Sequence, residues 1–228
     1  METKNKKTAR PRTPFVLRDM NSQRTVEVYD RIMSMAPVNF FARKVLKLGV
    51  EDGKALDIAC GPGHLLCALA RLAPKLELHG VDISPNMLKA ARKKFEKRGL
   101  DGKIQLHLGS AYDLPFEDNT FDLVTNTLAL HCLEEPQRFF DEFMRVMKPD
   151  GKGMILAYTR NAPGWIRFPA KLHSRYMTWR KIPLDGMGPV LDSSYTVEEI
   201  EGYLKQLTTA KWQIHESLLF LITILLEK

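Results

Sequence analysis

The chain has 228 residues, 44% hydrophobic and 27% charged, enough for one globular domain with a sizeable core, and no apolar stretch reaches the roughly 18 residues of a transmembrane helix. The basic N-terminus lacks the apolar segment of a secretory signal, and Cys60, Cys67 and Cys132 have neither metal-binding spacing nor an even count, so a reducing, cytoplasmic setting and no metal site are expected. The net charge of +7 is uneven: residues 1–18 sum to +5, residues 160–181 to +6 and the remainder to −4, an acidic body with two basic segments.

In chain order, residues 1–20 read as a disordered, solvated basic tail, with residues 21–228 as a single domain. Residues 22–48 have helical periodicity broken near Pro37. An apolar run at 55–59 predicts a buried strand. A glycine turn follows, then a helix over 64–72 and a second strand over 76–81. Ser84 and Pro85 are an N-cap and a first helical residue, so a helix is expected over 85–98. Residues 104–108 and 121–126 predict the third and fourth strands. Residues 136–147 carry Phe139, Phe140, Phe143 and Met147 on one helical face, ended by a turn at Pro149-Asp150-Gly151. A fifth strand is expected over 154–158. Thr196 and Glu199 predict a capping box for a helix to about 206. Residues 212–215 and 219–226 predict a closing, hairpin-like strand pair. The alternation implies an α/β, doubly wound, Rossmann-like and mainly parallel sheet with helices on both faces. Residues 160–195 interrupt it with Trp165, Phe168, Tyr176 and Trp179 among six cations, long enough for a lid over the strand ends.

The strand–turn–helix reads KALDIACGPG at 54–63, and the acid Asp82 closes the second strand 21 positions after Gly61. Glycines let a ligand approach the backbone, and a strand-end acid accepts bonds from ribose hydroxyls. A dinucleotide fingerprint wants Gly or Ala three positions after Gly63, where this chain has Leu66. Asp57, inside the first strand, would repel a pyrophosphate and suits a ligand with cationic groups. This spacing, with ISPNMLKAARKKF at 83–95, GSAYDLPFEDNTFDLV at 109–124 and LALHCLEEPQRFFDEFMRVMKPDGKG at 128–153, resembles the class I S-adenosylmethionine (SAM) methyltransferases. Within them it resembles the small-molecule branch that includes the ubiquinone/menaquinone C-methyltransferases.

The resemblance implies a seven-stranded sheet with an antiparallel last strand, SAM as cofactor and a set of cofactor-binding residues. The turn would contribute Ala59, Gly61 and Gly63, and Asp57 would steady the methionine end. Asp82 would hold the ribose; its alternative is a helix cap. Ile83 and Met87 would flank the adenine, though a helical Met is as readily core. Ser110 stands where relatives carry Asp, and the Ala111 amide would reach the adenine edge. Tyr29, on the N-terminal helix with Asp30, would shield the methionine moiety or merely pack. Asn126 ends the fourth strand. His131 follows it and would face the methyl as a near-neutral base, or be structural.

The implied activity is methyl transfer to a small molecule, quinone-like, lipid-like or anionic. Alternatives are a nicotinamide oxidoreductase, a nucleic-acid methyltransferase and a non-catalytic SAM-binding regulator. No stable nucleic-acid partner is expected, because NTLALH replaces the Asx-Pro-Pro-aromatic motif of amino-methylating DNA enzymes. The basic segment 160–181 suits an anionic ligand or a membrane surface, or is a solvated loop.

Overall fold

Each predicted apolar run and amphipathic stretch becomes a strand or helix around one sheet in the computed structural model, which describes residues 11–15, 22–208, 210–216 and 220–228. Helices α1 (Gln23–Met33) and α2 (Val38–Leu46) come first, separated at Pro37, which has no N–H to continue a helix. Strand β1 (Asp52–Ile58), helix α3 (His64–Leu72) and strand β2 (Lys75–Asp82) form the βαβ unit. Helix α4 (Pro85–Lys97) starts where the Ser84 hydroxyl accepts from the Met87 amide at 3.3 Å. Then come β3 (Ile104–Leu108), β4 (Phe121–Thr127), α5 (Pro136–Val146), β5 (Met147–Tyr158), α6 (Gly164–Trp179) and α7 (Met187–Ser193). Helix α8 (Val197–Leu204) carries the Thr196–Glu199 capping box. Strands β6 (Lys211–Glu216) and β7 (Leu221–Glu227) close the chain.

The sheet order is β3-β2-β1-β4-β5-β7-β6. It is mixed: β1 pairs parallel with β2 and β4, β2 with β3 and β4 with β5. Strand β7 runs antiparallel between β5 and β6, because residues 217–220 are too few for the crossover that a parallel return needs. Alternation along β1 sends Leu56 and Ile58 to an apolar cluster with Phe139, Phe143 and Ile200, and Ala55 to a second with Leu66, Leu69 and Phe95. Helices α5 and α8 thus cover one face, and α2, α3 and α4 the other.

Three expectations change. The turn at Pro149-Asp150-Gly151 lies inside β5 as a bulge. Phe121 pairs with Met147 and the next pair is Leu123 with Lys152, and Asp150, at φ +65°, bends the surplus β5 residues out of register. The segment 160–195 consists largely of α6 and α7, and its basic character is partly structural. Buried Arg160 donates to the Ser194 carbonyl and to Glu199. Buried Arg167 donates to the Arg160 carbonyl at 3.0 Å and to Asp192. Of the expected tail, residues 1–10 and 16–20 lie outside the described residues, and residues 11–15 lie against the body. Arg12 donates to the carbonyls of Ser193 (2.7 Å), His131 (3.2 Å) and Leu133 (3.3 Å) and lies over the Tyr195 ring. A guanidinium fork meeting three carbonyls explains why this stretch is held.

Candidate active site

Strand order reverses between β1 and β4, and the crevice outside the C-terminal strand ends at such a point is where open α/β sheets hold ligands. A cavity of about 610 Å³ lies there, within the range of small-molecule sites. Tyr29, Ala59, Gly61, Asp82, Ile83, Met87, Ser110, Ala111 and His131 all line it. A recess of about 50 Å³ shares Tyr29, Ala59, Gly61 and Leu128 with the cavity and reaches Asp57. Gly63 and Asn126 line neither. A Cβ on Gly63 would come within 2.5 Å of the Phe95 ring, so this glycine lets α3 pack on α4. The Asn126 amide donates to the Ile58 carbonyl at 2.8 Å and ties β4 to β1 behind the wall.

The turn is sharp because Ala59, Gly61 and Gly63 all have positive φ, at 54°, 53° and 71°. Ala59 pays the steric penalty of a non-glycine residue there, as does Leu128 (φ 59°) at the end of β4. Such strained residues gather at functional sites, and both line the cavity and the recess. A Cβ on Gly61 would meet nothing within 4 Å, so this backbone stands open to a ligand.

Asp82 is buried between the turn and α4. One carboxylate oxygen accepts from the Gly61 amide at 2.8 Å, the other from the Ser84 amide at 2.9 Å. Burial raises its pKa, opposed by these bonds. The carboxylate thus ties the glycine turn to the start of α4, whose N-cap is Ser84 itself. Asp57 lies opposite Thr125 in the β1–β4 register, and the Thr125 hydroxyl donates to it at 2.9 Å. Burial pushes its pKa up to about 7 despite that bond. Ser110 Oγ accepts from the Tyr112 amide at 3.2 Å, a local turn contact.

His131 is buried on a single 3-10 turn after β4. The Phe15 ring meets it edge-on at 4.8 Å and Tyr158 at 5.8 Å. Its Nδ1 is buried without a hydrogen-bond partner among the described residues. Burial, and then the Arg12 charge, push its pKa down to about 4. This makes it a weaker base than the unperturbed imidazole read from the sequence. Cys132, also on the cavity wall, is pushed up to about 12 by burial, so it presents a thiol and not a thiolate.

Sequence reasoning missed the contacts that hold α1 over the turn. Lys94 donates to Asp30 (2.5 Å) and to the Pro62 carbonyl (2.8 Å), and His64 pairs with Asp30 at 2.8 Å. Burial lowers the pKa of both Lys94 and His64. The spacing places Lys94 on the buried face of α4, seven residues after Met87 and three after Ala91, but its side-chain partners lie on two other helices, which spacing does not reveal. Phe15 and Tyr158 were also missed, the first inside the supposed tail and the second inside a strand.

Residues 56–155 match the family model described as Methyltransferase domain. The demethylmenaquinone methyltransferase of Lactobacillus johnsonii is 38% identical over 56% of this chain and 53% of that protein. That of Thermotoga maritima is 36% identical over 68% of this chain and 67% of that protein. The chain spans about half the length of the first curated relatives it matches. A solved SAM-dependent methyltransferase from Aquifex aeolicus has a TM-score of 0.67 over 90% of this chain and 98% of that one. At 20% identity that likeness is one of fold.

Proposed function

Because the chain belongs to the class I methyltransferase family and is related to the quinone methyltransferases, we propose that it transfers the methyl group of SAM to a small, apolar, quinol-like acceptor. The observation that carries the cofactor half is the Asp82–Gly61 pairing on the cavity wall. Three features fit SAM. The Gly61 backbone leaves room for a ligand at its Cα. Asp82 lines the cavity as an oriented acceptor for a ribose hydroxyl. Asp57 is a buried acid whose one hydrogen-bond partner among the described residues is a hydroxyl, which suits the cationic methionine end. Ile83 and Met87 would flank the adenine, with Ser110 and the Ala111 amide at its edge.

Bound SAM supplies a methyl group on a cationic sulfur, an electrophile that needs no metal. The protein's task is to orient the acceptor and exclude water. Tyr29 and α1, held by Asp30 and Lys94, would cover the methionine side. Phe15, Tyr158, Met177, Leu184 and Val190 also line the cavity and offer an apolar surface to a ring, beside the polar Glu134, Glu135, His173 and Asp185. Neutral His131 would accept a hydrogen bond from the acceptor's hydroxyl and hold the nucleophilic atom in line.

The other readings lose support. Asp57 beside the turn would repel the pyrophosphate of a dinucleotide. Arg160 and Arg167 are engaged in ion pairs, which reduces the charge open to nucleic acid. The test is to incubate the protein with methyl-tritiated SAM and cell extract, then count label in the organic phase and in the macromolecular precipitate. Label in the organic phase is expected. Label in the precipitate would favour a macromolecular substrate, and no label from a preparation that binds S-adenosylhomocysteine would favour a binding protein.

A further inference from the structure

Helix α6 carries Trp165, Phe168, Leu172, Tyr176 and Trp179, all between 50% and 73% exposed. At about 100° per residue they fall within an arc of roughly 80°, so they form one continuous stripe. Lys171 and Arg175 flank it on one side and Arg180, over the Trp179 ring, on the other. No acid occurs from 161 to 184; Lys171 pairs at 3.9 Å with Asp192 of α7, while Arg175, Arg180 and Lys181 make no ion pair among the described residues. The other side of the same helix faces inward: Met177 is buried and lines the cavity, as does His173.

We propose that α6 docks this protein on the surface of an anionic bilayer and sets the mouth of the cavity against the membrane, from which a lipid acceptor enters. The lipid-acceptor clause rests on the proposed function; the docking surface does not. Trp and Tyr have an apolar body and a polar edge, and Lys and Arg stems lie along apolar surface while their heads reach phosphates. An aromatic stripe between cations is the pattern of a helix lying in the interface plane. No helix among the described residues is long and apolar enough to cross a membrane. A second copy is a poor occupant, because packing stripe on stripe would set Lys171, Arg175 and Arg180 against their like with no acid on the helix to offset them. An anionic surface complements those charges.

The test is co-sedimentation of the full chain with phosphatidylcholine vesicles and with mixed phosphatidylcholine–phosphatidylglycerol vesicles. The variants are Trp165→Ser with Trp179→Ser, and Arg175→Gln with Arg180→Gln and Lys181→Gln. Binding to the mixed vesicles, weaker at high salt, is expected. The serine pair should lower it at least tenfold. The glutamine triple should lower it by roughly a hundredfold at low salt, about fivefold per cation. Absence of binding to the mixed vesicles, equal binding to both vesicle types, or variants that bind like the parent would overturn the inference. A lipid-free dimer that the serine pair dissolves would also overturn it, by giving the stripe to a second copy. S-adenosylhomocysteine binding is read on the same preparations. Protein that binds it but not vesicles contradicts the docking surface alone, and protein that binds vesicles but not the nucleoside contradicts the proposed function alone.

Discussion

Asp82 and Asp57 are both buried acids near the strand ends, in different surroundings. Asp82 already accepts two backbone amides, so it is oriented before any ligand arrives. Asp82→Ala should weaken SAM and S-adenosylhomocysteine about tenfold or more, since a hydrogen bond to a charged group contributes about 1.5–3 kcal/mol. Unchanged affinity by calorimetry in a folded variant would remove Asp82 from the ribose role. Asp57, with its pKa at about 7, is largely protonated below neutrality in the free protein. A cationic ligand beside it favours the ionised form. Binding should therefore release a proton at pH 6, and affinity for SAM should rise with pH and level off above about 7. Titrations in buffers of different ionisation enthalpy measure that proton. Its absence at pH 6, or its persistence in Asp57→Asn, would place the cation elsewhere. His131, with its pKa near 4, stays neutral as pH falls through 6.5 and should add no limb there to the pH–rate profile. His131→Ala should lower turnover much more than it lowers S-adenosylhomocysteine affinity, and His131→Gln, which keeps an acceptor, should restore part of the rate. A limb near 6.5 that vanishes in His131→Ala would make it a titrating base instead.

At the scale of elements, the glycine turn and its strand-end acid were legible because the chemistry lies in ten consecutive residues and one acid at a fixed distance. The hold on α1 was not, because Asp30, His64 and Lys94 come from three helices and each alone reads as a solvated charge. Asp30→Asn should loosen α1, raise amide exchange across 23–33 and weaken S-adenosylhomocysteine several-fold, leaving exchange in the central strands unchanged. Unaltered exchange in α1 would mean that apolar packing, with Val26 buried, holds the helix by itself. Leu66 shows a second limit. It occupies the position where a dinucleotide fold has a small residue, yet the helix still packs closely. The small residue sits across from it: a Cβ on Gly80 would approach Leu66 Cδ1 to 2.6 Å. Close packing needs one small partner, on either element, and the motif alone does not say which. Depth was equally illegible, since Arg160 and Arg167 look like their exposed neighbours in sequence, yet they are buried against Glu199 and Asp192.

At the scale of the whole molecule, one sheet with a core on each face leaves its strand ends as the place for a ligand, and α1, α6 and residues 11–15 gather over it. On the proposed reading, this cavity brings SAM and an apolar acceptor together. The most direct test is mass spectrometry of a reduced naphthoquinone or benzoquinone incubated with the full chain and methyl-deuterated SAM. A product carrying one trideuteromethyl group, formed in step with S-adenosylhomocysteine and lost in Asp82→Ala, is expected. Unmethylated quinols from a preparation that binds S-adenosylhomocysteine would contradict it.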